Sequence, residues 1–304
     1  MFEPITTSRD RFTGPRDGIR LCYRLDGRRE HPPILLLGGL GEDLTTWSRH
    51  FVSALTARGF LVVRVDNRDS GKSTFVSAPA PGNLRLLCGR PRRDAYTLSD
   101  IAADCARLLD HLGIERAHIA GRSMGGMIAQ TIAAQFPSRT RSLTSLYSTT
   151  GRPGVGRASL GTTMLLAAAP PRTRQQAVRA HLQLTAHLAG AAYPIDDAAE
   201  TAHAISTWDR TAGDAAAGMR RQVQAIRASG DRTAELRTIT APTLIINGDR
   251  DPLIHPSGGI ATAAAISGSR HLVIPGMGHH IPDSLADRIV HEISAHASNE
   301  RTPR

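Results

Sequence analysis

The chain has 304 residues, 40% of them hydrophobic and 21% charged, which suits one large α/β domain with an insertion or two small domains. A formal charge of +10, from 37 basic and 27 acidic residues, raises the question of nucleic acid. The composition argues against such a partner: Lys72 is the only lysine, and the arginines are scattered, with short groups at 90–93 and at Arg220 and Arg221 and few aromatics between them.

From the N-terminus, MFEPITTSRDR carries an early acid and no apolar segment, so a signal peptide is not expected. No apolar stretch approaches the length of a membrane span. Cys22, Cys88 and Cys105 are odd in number and lack metal-ligand spacing; they are expected to be free thiols, mostly buried, in a reducing, cytoplasmic compartment. Alternation around Ile19, Leu21 and Tyr23, bounded by glycines, predicts a hairpin within 11–25. The run ending at Leu37 predicts a buried strand entering the Gly38-Gly39 loop. A helix is expected over 47–58, a buried strand over 61–65 and an amphipathic helix over 98–112 with Ile101, Cys105, Leu108 and Leu112 on one face.

The segment RAHIAGRSMGG (116–126) then reads as strand, G-x-S-x-G and helix, the helix running over 127–135. The sharp turn pushes Ser123 into strained backbone geometry, and flanking glycines let strand and helix approach. The Met124 amide then points with the Ser123 hydroxyl, ready to donate to an oxyanion. A strand over 143–147 follows, and the strand–helix alternation stops near Thr149. Residues 151–235 are rich in alanine, leucine and arginine and read as several helices; alternation resumes with strands over 242–247 and 271–274 and helices over 256–266 and 282–297. The expected organisation is a core of 1–150 and 236–304 with a mostly parallel sheet, helices on both faces, and a helical cap of 151–235 over the strands' carboxyl ends.

A serine nucleophile needs a base, and the base needs an acid to orient it. The two resumed strands end in GDRDP (248–252) and PGMGHH (275–280), which places candidates in the order Ser, Asp, His. SGKS (70–73) resembles part of a phosphate-binding loop but lacks the required glycine at Asp66, so Lys72 is expected to be an ordinary loop residue.

Through LLLGGLGEDLTTW (35–47), VDNRDSGKST (65–74), GRSMGGMIAQ (121–130), INGDRDPLIHP (246–256) and GMGHHIP (276–282), the chain resembles the α/β-hydrolase superfamily over nearly its whole length. Within it, the likeness is to esterases acting on polyketide methyl esters and to enol-lactonases. The resemblance implies Ser123 as nucleophile, His279 as base and Asp251, just before the proline, as acid, with Asp249 as a loop-capping alternative. It implies Leu40 and Met124 as oxyanion donors, with Gly39 the donor if the register slips by one. Gly39, Trp208 and His280 are candidates for contact with substrate, His280 either lining the pocket or facing solvent. Arg122 either binds a substrate carboxylate or packs as a surface arginine beside the elbow. Met164, Leu165, Leu166 and Trp208 are apolar candidates for packing the cap or lining the pocket. No metal or cofactor is required. The expected partner is a small-molecule ester, not nucleic acid or membrane, and a homodimer is allowed. The expected activity is carboxylic ester hydrolysis through an acyl-enzyme. Lactonase, thioesterase, C–C hydrolase or acyltransferase chemistry with the same triad, or a non-catalytic receptor on the same fold, are the alternatives.

Overall fold

The computed structural model describes residues 9–82, 85 and 88–299, the Asn299 side chain excepted. Eight strands form one sheet: β1 (Arg11–Phe12), β2 (Cys22–Asp26), β3 (Pro33–Leu37), β4 (Leu61–Val65), β5 (Ala117–Arg122), β6 (Thr140–Leu146), β7 (Thr243–Gly248) and β8 (Arg270–Ile274). Their order is β1-β2-β4-β3-β5-β6-β7-β8. The β1–β2 and β2–β4 pairs are antiparallel, and every pair from β4 to β8 is parallel. The continuous apolar run of β3 therefore has a use on both faces. Leu35 and Leu37 join one core cluster, and Ile34 and Leu36 the other.

The helices beside the sheet are α1 (Arg49–Ala57), α2 (Leu98–His111) and α3 (Met124–Gln135) before the chain crosses β6, and α9 (Ser257–Ala265) and α10 (Asp283–Asn299) at the end. The first cluster packs α2 and α3 on the sheet through Ile101, Leu108, Ile128 and Ile132. The second packs α1 and α10 through Phe51, Leu55, Ile289 and Ile293. Local chemistry starts these helices where they start: Ser48 accepts the Phe51 amide, and Thr97 and Asp100 form a reciprocal capping box.

Between β6 and β7 the described chain holds helices and no strand: α4 (Leu160–Leu166), α5 (Arg174–Ala189), α6 (Asp197–Arg210), α7 (Ala215–Ser229) and α8 (Thr233–Leu236). Thr173, Asp196 and Asp214 cap α5, α6 and α7 with their side chains. Leu236, at the end of α8, is buried in the first core cluster, so the insertion rejoins the core within that helix.

The apolar candidates of the insertion differ in exposure. Met164 is 64% exposed and Trp208 38% exposed, so neither is buried between insertion and sheet. Leu165 and Leu166 are half-buried. Of the cysteines, Cys22 and Cys105 are buried free thiols, and Cys88 is free but exposed. No helix among the described residues is long and apolar enough to cross a membrane.

Candidate active site

The site is built at the carboxyl ends of β3, β5, β7 and β8. At the end of β5 the chain turns at Ser123, with φ 54° and ψ −121°, directly into α3. That left-handed conformation is strained for serine. It is held by the Ser123 amide, which donates to the Leu146 carbonyl at 2.9 Å, and by the Ser123 carbonyl, which accepts the Ser148 hydroxyl at 2.8 Å. Gly121 and Gly125 make the turn possible. A Cβ at Gly121 would lie 2.0 Å from the Gly125 carbonyl oxygen, and one at Gly125 would lie 2.3 Å from that of Leu37.

The loop after β7 presents Asp251, and the loop after β8 presents His279, both buried. His279 Nδ1 is 2.6 Å from Asp251 Oδ2, and His279 Nε2 is 2.9 Å from Ser123 Oγ. The carboxylate accepts the proton on Nδ1, which leaves Nε2 to accept the serine hydroxyl. The other oxygen of Asp251 accepts the Leu253 and Ile254 amides, both at 2.8 Å, which fixes the carboxylate's direction. Asp249 is exposed, and its Oδ1 accepts the Gly276 amide at 2.6 Å, tying the two loops together away from the imidazole.

The Met124 amide is the first of α3, among the N–H groups that have no intrahelical acceptor. Among the described residues no protein acceptor takes it or the Leu40 amide. The Gly39 amide, in contrast, donates to Glu42 Oε2 at 2.6 Å. The Gly39 N–H, the donor of the slipped register, is thus taken by a side chain, unlike the Leu40 N–H. Gly39 does lie against the serine: a Cβ there would come within 3.2 Å of Ser123 Cβ.

Arg122 is neither a surface residue nor a free fork for a carboxylate. It is 6% exposed, its Nη2 is 3.0 Å from Glu42 Oε1, and its Nη1 donates to the Thr46 carbonyl at 3.4 Å. A buried guanidinium needs such a countercharge. Its guanidinium also stands 5.6 Å from the Tyr147 ring centroid, and that ring packs 4.6 Å from the His279 ring. Tyr147, at φ 34°, is a second strained non-glycine residue beside the site.

His280 points to the insertion. Its Nε2 is 3.1 Å from Glu200 Oε1, off the line of a good hydrogen bond. The other oxygen of Glu200, on α6, is 2.6 Å from His181 Nε2 on α5, and His203 lies beside His181 with ring centroids 5.4 Å apart. Among the described residues, no group of three or more His, Cys, Asp or Glu side chains is arranged to hold a metal ion. The insertion also bonds the His279 backbone: the Gly278 and His279 amides donate to the Ala189 and Leu188 carbonyls at 3.1 and 2.6 Å. Trp208 is on α6 and partly exposed. Lys72 is a loop residue whose Nζ is 2.7 Å from Asp10.

Ser123, Asp251 and His279 are thus brought together. Glu42, Tyr147 and Glu200 went unread in the sequence, because their partners are set by loops distant in the chain. The one available signal was that an acid stands in the GGLGED loop.

Comparison with known proteins gives the chain's family. The family of the alpha/beta hydrolase fold matches residues 32–284. The chain is 27% identical to rhodomycin D methylesterase of Streptomyces sp. strain C5, over 92% of this chain and 96% of the relative. It is 25% identical to 3-oxoadipate enol-lactonase 2 of Acinetobacter baylyi, over 84% of each. Among solved structures, the enol-lactonase of Burkholderia xenovorans LB400 superposes with a TM-score of 0.69 at 24% identity, covering 96% of this chain and 100% of that one. The match over most of its length, on a mostly parallel sheet with the serine at the strand–helix turn, shows that this chain belongs to the α/β-hydrolase family.

Proposed function

We propose that the protein is a serine hydrolase that cleaves the carboxylic ester of a small or medium apolar molecule. The observation that carries this is the hydrogen-bonded series Asp251–His279–Ser123, ending on a serine in strained backbone geometry. His279 takes the Ser123 proton as Oγ attacks the ester carbonyl carbon. Asp251 holds the imidazole tautomer and stabilises the imidazolium. The Leu40 and Met124 amides receive the oxyanion. The alcohol leaves with the proton from His279, and water activated by the same imidazole hydrolyses the acyl-enzyme. Residues 151–235 act as a cap. That role is supported by the bonds from α5, α6 and α7 to the loops that carry His279, Asp66 and Gly41. The free thiols fit a reducing, cytoplasmic compartment.

The likeness to an enol-lactonase supports a second substrate class for the same residues. Turnover of short-chain aryl esters and of lactones of graded ring size tests both. Many turnovers per protein are expected for at least one class, and release of about one equivalent would mark a receptor instead. Ser123→Ala is expected to stay folded and to lose roughly 10³ to 10⁶-fold in kcat. Retention of more than about a tenth of the wild-type rate would remove the nucleophile assignment.

A further inference from the structure

We infer that Glu42 and Arg122 form a brace that positions the oxyanion hole, an inference resting on the serine-esterase reading above. The two donors of the hole lie on separate pieces of chain. Leu40 is in the loop after β3, and Met124 begins α3 after the elbow. Their separation is set by whatever joins those pieces. Arg122 is the residue immediately before Ser123, so it moves with the elbow. It grips the β3 loop at two points, the Glu42 carboxylate at 3.0 Å and the Thr46 carbonyl at 3.4 Å. The second oxygen of Glu42 reaches back to the Gly39 amide at 2.6 Å.

That last bond decides which amide faces the substrate. The Gly39 N–H is committed to Glu42, whereas the Leu40 N–H has no protein acceptor among the described residues. The carboxylate thus does two things: it selects Leu40 as donor and ties its loop to the elbow. Glu42 is kept in place by the buried guanidinium, which has no other carboxylate within ion-pair distance among the described residues. An oxyanion hole works by preorganisation, and displacement of a catalytic group by about 1 Å costs on the order of 10²-fold. Glu42 and Arg122 touch no reacting atom in this scheme; they are positioning residues.

The test compares Glu42→Gln and Glu42→Ala with wild type on an aryl ester. Three readouts are followed: kcat, KM, and inhibition by a trifluoromethyl ketone. Ser123 Oγ adds to the ketone carbonyl carbon, its proton passes to His279, and the resulting hemiketal oxyanion occupies the hole. A methyl ketone, which forms no such adduct appreciably, is the control. Glu42→Ala is expected to lower kcat by about 10 to 100-fold with KM within about threefold, and to weaken the trifluoromethyl ketone by the same factor as kcat/KM. The methyl ketone should bind unchanged. Glu42→Gln keeps an acceptor for Gly39 but loses the charge, and should fall between; being nearly isosteric, it also carries the test if the alanine variant does not fold. Unchanged kcat and trifluoromethyl ketone inhibition in either folded variant overturns the brace. So does a loss confined to KM, or one shared equally by the methyl ketone. Absence of ester and lactone turnover by wild type, or an active Ser123→Ala, instead sinks the hydrolase reading and the brace with it.

Discussion

Two aspartates two residues apart on the β7 loop have different surroundings, and the difference defines their work. Asp251 is buried, takes two backbone amides on one oxygen and reaches His279 Nδ1 with the other. Asp249 is exposed and takes the Gly276 amide. Asp251→Asn leaves a side chain that still accepts the two amides but can offer its NH₂ to the imidazole, which favours the wrong tautomer. The expected loss is on the order of 10⁴ in kcat with little change in melting temperature. Asp249→Asn is expected to cost less than about tenfold. Steady-state kinetics of the two variants check this, and a reversed order would reassign the acid. The two aspartates could be ranked because the resemblance to the α/β-hydrolase superfamily places the acid just before the proline after this strand. Arg122 could not be read so. Its burial depends on Glu42, 80 positions earlier (122 − 42), and a single basic residue beside a motif carries no sign of which way its side chain turns.

Among the elements, those with strong local signals were legible: the buried run of β3, the amphipathic α2, the glycine-flanked elbow. β6 begins at Thr140, three residues before the expected start (143 − 140). Of its leading residues, Thr140 and Ser142 are polar yet buried; Ser142 Oγ lies 2.8 Å from His118 Nδ1 on β5. A hydrophobic count misses a strand edge satisfied in that way. The insertion was legible only as helices. Its docking depends on single polar side chains, of which Glu200 on α6 is the clearest. Burial pushes its carboxyl up, but contacts with His181 and His280 outweigh that and hold it well below its ordinary value of 4.5. A carboxyl depressed in the folded state adds stability that is fully present above the ordinary value and is lost progressively as pH falls from about 4.5 towards the lower folded value. Glu200→Gln is therefore expected to destabilise the protein by about 1 to 2 kcal/mol at pH 7, and the gap from wild type should close towards pH 4. His203 is held below its ordinary value of 6.5 by burial, with Glu200 among the charges that oppose this, so Glu200→Gln lowers it further and widens the gap between pH 7 and 5, before the carboxyl itself titrates. Urea denaturation at pH 7, 5 and 4 measures the gap; one that stays constant would show that Glu200 is not acting as a charge.

Across the whole molecule, arginines of the insertion are set into acids of the core. Arg221 on α7 meets both oxygens of Asp69, at 2.9 and 2.6 Å. Arg210, at the end of α6, lies 2.8 Å from Asp66 Oδ2 and 3.1 Å from Asp43 Oδ2. Asp43 adjoins Glu42, and the Gly41 amide donates to Gln222 on α7 at 2.8 Å, so the loop carrying Leu40 is held by the elbow and by the insertion at once. Asp66 shows how much depends on this. Burial raises its carboxyl to about 6 even with Arg210 opposing. Removing the guanidinium in Arg210→Met raises it further, so the folded variant holds a proton that the unfolded chain, at its ordinary 3.8, releases. A carboxyl raised in the folded state loses stability as pH climbs from the unfolded value to the folded one. The loss in Arg210→Met should therefore be about 3 to 5 kcal/mol at pH 8, where two buried carboxylates have lost their cation, and clearly smaller at pH 5. Urea denaturation at the two pH values tests this, and adding Asp66→Asn to the variant should remove most of the pH dependence. A loss of equal size at both pH values would show that Arg210 holds the insertion by packing its side chain rather than by its charge.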